Sequence, residues 1–178
     1  VIADYLAKHG IATLRYDDRG VGMSTGDALK ATTYDNMLDA LAGIEFLKNT
    51  KDFGKIGVLG HSEGGMIGYM LAARGKADFV VSLAGPVFRG DSLLLMQNRD
   101  ILQKAGLGQD DIDKYSEAVR RVFQYKLSGA KNKFATTPEA ILPMLTADIP
   151  LSEQLRTNLL ETLKQVDGVW MNHFLSFD

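Results

Sequence analysis

The 178-residue chain has no cysteine, which excludes a disulfide scaffold, a thiolate zinc site and a cysteine nucleophile. Cysteine absence does not set the compartment, since secreted bacterial enzymes often lack it too. Long apolar runs are also missing. None approaches the roughly 20 residues of a bilayer-spanning helix, and no stretch reads as a secretory leader. No membrane partner is expected. A basic excess is absent as well: 20 Lys and Arg stand against 22 Asp and Glu, for a net charge of −2. Nucleic-acid partners usually leave a basic footprint, so none is expected here. Repeats and low-complexity segments are lacking. Histidine is scarce, with three in all, so the candidate bases are His9, His61 and His173. What remains is an ordinary globular composition, 46% hydrophobic and 24% charged, sufficient for a buried core.

Residues 1 to 9 place Ile2, Tyr5 and Leu6 on one helical face, and Gly10 stops that helix at the C′ position. "IATLRYD" (11–17) is short, β-branched and apolar, and reads as a strand. "DRGVGMSTGD" (18–27) is a glycine-rich loop. Thr32 and Asp35 have capping-box spacing, and Tyr34, Met37, Leu38, Leu41, Ile44 and Leu47 then recur at helical spacing. "KIGVLG" (55–60) has almost no polar face and reads as a buried parallel strand. "EGGMIGYMLAAR" (63–74) is a buried helix closed by Gly75, and "FVVSLAG" (79–85) is a third strand. Strands alternating with helices through short connections imply right-handed βαβ units and a parallel sheet. From about Arg89 to Val169 only helical patterns occur, over 91–106, 109–128, 137–148 (Thr137 as cap, Pro138 in the first turn) and 152–166 (Ser152 as cap). "GAKNKFATTP" (129–138) is the most linker-like stretch.

Gly60-His61-Ser62-Glu63-Gly64 fits G-x-S-x-G. In such a motif a serine sits on a sharp, strained turn from strand into helix, and small residues two before and two after let strand end and helix start approach. The turn puts the hydroxyl at the carboxyl edge of a parallel sheet, where ligands bind. It also aims the first helical N–H groups at charge developing on a substrate. Five residues of this pattern are weak by themselves; an apolar strand before and an apolar helix after supply the context the motif needs. A structural serine in a glycine-rich turn is the alternative.

"RYDDRGVGMSTG", "KIGVLGHSEGGMIGYMLAAR" and "VVSLAGP" together resemble the central part of a bacterial α/β-hydrolase of the esterase and acyl-peptidase-like kind. The resemblance covers residues 1 to 88 well, and the helical region resembles that fold's cap less specifically. It implies a partial doubly wound parallel sheet over 1–88, a helical cap over 89–170, and a return toward the core over 171–178. It makes Ser62 the nucleophile and the backbone N–H of Glu63 an oxyanion donor. A soluble protein of the bacterial cytoplasm or periplasm is the corresponding expectation, without a cofactor or metal.

The histidine that should activate Ser62 is not evident. His61 is its neighbour, but adjacent side chains diverge at such a turn. His9 ends a helix, where the dipole favours a cation or donor. His173 follows Ser62 in the order nucleophile–acid–base, with Asp148 or Asp167 between, yet "VWMNHFLSF" reads as a helix or cap return, not a loop after a strand. In the resembled fold the second oxyanion donor follows a strand preceding residues 1–9. That strand would lie between those at 11–17 and 55–60. "VIADYLAKHG" reads as the middle of a fold, and "FLSFD" ends without a tail. The expectation is therefore that the triad Asp and His, and further strands, belong to a missing part of the same gene product, without which the segment is a poor catalyst.

Other candidates are weaker. "GVGMSTG" has the spacing G-x-G-x-x-x-G with no helix immediately after it, unlike a dinucleotide fingerprint. Asp17, Asp18 and Arg19 end the strand at 11–17; an ion pair of Arg19 with a carboxylate would stabilise the loop, which shares the sheet edge with Ser62. The Glu63 side chain is either a general acid or a first-turn carboxylate favoured by the helix dipole. "GQDDID" (108–113) lacks the glycine and terminal glutamate of a calcium loop. Leu93, Leu94, Leu95, Met96, Trp170, Phe174 and Phe177 either line an acyl pocket or simply pack. The expected substrate is a small ester or acyl compound, with His61, Asp18, Arg19, Met96 and Trp170 as its contacts. The functional expectation is a serine hydrolase cleaving carboxylic esters. The alternatives are a peptidase or thioesterase of the same fold, or a non-catalytic binder of a small ligand.

Overall fold

The computed structural model describes residues 1–129 and 136–177. Residues 130–135, most of the linker-like stretch, lie outside the described residues. The chain forms two compact units, 1–85 and 86–178.

The first unit is mixed α/β. It contains helix α1 (Ile2–Lys8), a 3-10 turn (Ala28–Lys30), helix α2 (Thr33–Thr50), strand β1 (Val58–His61), helix α3 (Glu63–Ala73) and strand β2 (Val80–Leu83). β1 and β2 pair in parallel, Val58 with Val80 through His61 with Leu83, so α3 is the crossover. Small residues let that crossover lie close. A Cβ on Gly68 would fall against Val80 and Val58, and one on Gly65 against Ser82 and Gly85. Met66, Ile67, Met70 and Leu71 of α3 are buried with Met37 and Ile44 of α2 and Ile56. Each such side chain adds about 1.5–3 kcal/mol when fully removed from water. At the start of α2, Thr32 accepts from the Asp35 N–H while Asp35 accepts from the Thr32 N–H, the expected capping box. Gly10 and Gly75 end α1 and α3 at φ +75° and +64°. In each case the glycine N–H and the next one bond back to the last turn, as a Schellman motif does.

Four expectations need correction. Residues 11–17 form no strand. β-Branched composition supplies propensity, but a strand exists only where its backbone finds a ladder. No ladder partner lies beside this segment among the described residues; Leu14 and Tyr16 lie instead beside Gly43 of α2. The strand expected from residue 55 starts at Val58, because the Ile56 N–H donates to the Asp78 carboxylate (2.7 Å) and its carbonyl accepts from Asp78 N–H (2.8 Å). The strand expected over 79–85 likewise shortens to 80–83. Finally, the sheet is covered on one face only. Val58, Gly60, Val80 and Ser82 face α3, while Leu59, Val81 and Leu83 stay 44%, 42% and 39% exposed. The face of α1 carrying Ile2 and Tyr5 is uncovered too, at 50% and 62%.

The second unit is entirely helical among the described residues: α4 (Gly90–Lys104), α5 (Gln109–Leu127), α6 (Pro138–Leu145), α7 (Glu153–Gln165) and α8 (Val169–Ser176). α5 shows why it packs. Ile112, Tyr115, Val119, Val122 and Phe123 recur at three- and four-residue spacing and are all buried. They join Leu155, Leu159 and Leu163 of α7, Ile141 and Leu142 of α6, and Leu175 of α8 in one apolar cluster. Thr137 and Ser152 accept from the Ala140 and Leu155 N–H groups at the starts of α6 and α7. α6 ends at Leu145, three residues earlier than its apolar pattern suggests, with Thr146 taking the cap position.

Candidate active site

β1 is the strand and α3 the helix that hold Ser62, which stands alone between them. Its backbone has φ 52° and ψ −119°, a combination that strains any residue with a Cβ by about 1–3 kcal/mol. The strain persists because both sides are tied. The Ser62 N–H donates to the Leu83 carbonyl of β2 at 2.9 Å, and the Ser62 carbonyl accepts from Gly65 N–H at 2.9 Å. The residue is exposed, and its hydroxyl makes no hydrogen bond among the described residues. The first N–H groups of any helix lack partners within it, so α3 opens toward this corner with donors and a positive dipole end. Ala84, which directly follows β2, also has a positive φ, 53°. Both strands thus leave the sheet through a non-glycine residue in a strained conformation at the same edge.

The glycines of the motif divide the task unevenly. A Cβ on Gly60 would collide with the backbone of Gly64 and Gly65. A Cβ on Gly64 would meet nothing within 4 Å, whereas one on Gly65 would strike Ser82 and Gly85. The expected need for a small side chain at Gly64 is thus corrected: Gly64 is approached through its backbone, and the crowded side-chain positions are Gly60 and Gly65. Ser82 Oγ is wedged there, buried and without a hydrogen-bond partner.

The Glu63 side chain accepts from Thr33 Oγ1 at 2.6 Å. Thr33 is the first residue of α2 and fully buried. The glycine-rich loop reaches the same helix. Arg19 grips Asp39 with Nε and Nη2, both at 2.7 Å, and donates to the Asp35 carbonyl at 3.1 Å. The Asp39 carboxylate holds the Arg19 guanidinium above its ordinary pKa. Asp17 lies over Gly22; its carbonyl accepts from Ser24 Oγ at 2.6 Å. Asp18 is exposed, and His61 is exposed at the end of β1.

The other sequence candidates separate. His9 Nδ1 lies 2.8 Å from the Tyr5 carbonyl, and its ring lies 4.2 Å from that of Tyr5. His173 sits inside helix α8, with Nδ1 buried and unpartnered and its ring 5.6 Å from that of Phe177. Asp148 receives Arg121 in a two-pronged pair at 2.6 and 3.0 Å, which holds its carboxyl below the usual range. Asp167 pairs with Lys126. Of the acids at 108–113, Asp110 pairs with Lys114 and Asp113 with Arg99. Trp170 stacks on Phe174 at 4.9 Å; Met96 is 53% exposed. Leu94 borders a cavity of about 90 Å³ within the helical unit, with Asn98, Phe123, Thr162 and Met171. Among the described residues no cluster of His, Asp and Glu could hold a metal ion, and no helix is long and apolar enough to cross a membrane.

Sequence reasoning missed Thr33, Asp39 and Ser82. A signal existed for two of them. Thr33 is β-branched and opens a helix, where no helical carbonyl precedes its hydroxyl. Asp39 lies one turn beyond Asp35 on the same face.

The family model described as serine aminopeptidase, S33, matches residues 1–137. Esterase EstD of Thermotoga maritima is 38% identical over 85 residues, 48% of this chain and 21% of that relative. The match thus takes in a small part of that relative's length. No solved structure gives a significant match.

Proposed function

Because the chain belongs to the serine aminopeptidase S33 family, within the α/β-hydrolase superfamily, we propose that it is a serine hydrolase cleaving carboxylic esters through an acyl-Ser62 intermediate. One observation carries the proposal: an exposed serine with an unengaged hydroxyl, held at positive φ between a parallel strand and a helix. Strain of this kind is retained where function uses it.

In the proposed reaction Ser62 Oγ attacks the acyl carbon while a histidine takes the hydroxyl proton. The carbonyl oxygen becomes an oxyanion facing the Glu63 N–H. Collapse breaks the bond to the alcohol oxygen, which takes the proton from the histidine. Water then attacks the acyl-serine by the same route, releasing the acid and restoring Ser62. In the first unit His9 is engaged at Tyr5 and His61 is the immediate neighbour of Ser62. We therefore assign the base and its carboxylate to residues outside this segment of the gene product. On the substrate side we place His61 and Asp18, with Arg19 shaping the loop. For the helical unit we propose the role of a cap.

The relative's name supports an ester and the family's description supports a peptide with a free amino end; the same steps serve both. A fluorophosphonate probe and p-nitrophenyl butyrate, used on the full gene product and its Ser62→Ala variant, test the reading. Wild type should label and turn over, and Ser62→Ala should lose labelling and at least about a thousandfold in kcat. Labelling or turnover that survives Ser62→Ala would remove Ser62 from the reaction. An intact protein with neither would be the non-catalytic binder.

A further inference from the structure

We infer that Thr33 is a positioning residue for the oxyanion-binding peptide, acting through the side chain of Glu63. The inference rests on the reading of Ser62 as nucleophile. The Ser62–Glu63 peptide carries the N–H that would meet the oxyanion, and it leaves Ser62 at φ 52° and ψ −119°. A conformation of that kind relaxes unless its surroundings over-determine it. On the upstream side the Ser62 N–H is bound to Leu83. On the downstream side the Ser62 carbonyl accepts from Gly65 N–H, and the Glu63 carboxylate adds a tie from the neighbouring element, accepting from Thr33 Oγ1 at 2.6 Å.

Thr33 suits this task for local reasons. Within a helix a threonine hydroxyl usually bonds back to a carbonyl one turn earlier. At the first position of α2 that carbonyl is not helical, so the hydroxyl is available to another element. Its partner carboxylate belongs to the first residue of α3 and meets the first residue of α2. One negative charge thus sits at the positive ends of two helices. The start of α2 is itself fixed by the Thr32–Asp35 box and by Arg19, which bonds Asp35 and Asp39. The glycine-rich loop, α2 and the serine turn are thereby joined in one hydrogen-bonded series, in which Thr33 makes the last link.

Steady-state hydrolysis of p-nitrophenyl butyrate by the full gene product tests this. Thr33→Val keeps shape and removes the donor. It should lower kcat about tenfold with KM within about twofold, the effect of losing one charge-assisted hydrogen bond in the transition state alone. Thr33→Ser should restore kcat. Glu63→Ala should match Thr33→Val, and the double variant should be no slower than either single one. Glu63→Gln, which keeps an acceptor, should stay within about threefold of wild type. The inference is overturned by an unchanged kcat in Thr33→Val, by failure of Thr33→Ser to restore it, or by losses that multiply in the double variant. Should Thr33→Val not fold, the Glu63→Ala and Glu63→Gln pair decides, equal losses in both counting against the link. Turnover surviving in Ser62→Ala would instead sink the proposed function.

Discussion

In the helical unit, buried side chains from all five helices form one continuous apolar cluster. In the α/β unit, burial is confined largely to the contact of α2 with α3 and of α3 with one face of the sheet, while Leu59, Val81 and Leu83 on the other face remain exposed. The helical unit is held by many interchangeable apolar contacts. The α/β unit relies on close backbone approaches at Gly60, Gly65 and Gly68 and on specific polar links, Arg19 to Asp39 and Thr33 to Glu63. The candidate chemistry sits in the second kind of region. Geometry specified by hydrogen bonds and backbone contact places one hydroxyl at one edge; a leucine cluster specifies only that water is excluded.

The sharpest way to break this comparison is to truncate an apolar side chain in each unit. Leu159→Ala, fully buried, should lower the unfolding free energy by about 2–5 kcal/mol. Leu59→Ala should lower it by less than about 1 kcal/mol. Equal effects in urea unfolding would mean that the open sheet face is as much a core as the helical cluster. A second test separates the motif glycines. Gly60→Ala should destabilise by about 1–3 kcal/mol because backbone must move; Gly64→Ala should be neutral or stabilising by up to about 1 kcal/mol, as for alanine in a helix. Equal losses would show that crowding is not what distinguishes the two positions.

Smaller effects refine the picture. Ser62→Gly should raise the thermal midpoint, by the equivalent of about 1 kcal/mol, by releasing the positive-φ strain; no gain would mean the turn is unstrained. The smallest effect concerns pH. Arg121 lowers the pKa of Asp148, and a carboxylate so depressed stabilises the fold above its unfolded value near pH 3.9 and loses that contribution as pH falls through the folded one. Asp148→Asn should therefore be slightly less stable than wild type at pH 7 and converge with it as the pH falls through the lowered folded-state value. A gap that stays constant into acid would assign the effect to packing.

Much of the helical unit could be read directly. Its periodicity and its caps at Thr137 and Ser152 are local signals, decided within a few residues. The same holds for the Thr32–Asp35 box and for the G-x-S-x-G turn. The failures share a cause. "IATLRYD" has strand composition but no ladder beside it, and Ile56 belongs to a strand pattern but spends its backbone groups on Asp78. Gly64 looked equivalent to Gly60 because a motif records positions and not distances. Thr33 and Glu63 are 30 residues apart, and nothing in either neighbourhood announces the other.

By itself, then, the order of residues determined where the capped helices begin, that a serine stands between a strand and a helix, and that no thiol chemistry is available. Those outcomes depend on propensities, caps and spacing that act over one or two turns of chain. Tertiary structure alone decided which strands exist, which glycine is crowded and what the Glu63 carboxylate holds. Each of these is a meeting between segments distant along the chain, and its outcome is set by packing distance and hydrogen-bond supply in three dimensions.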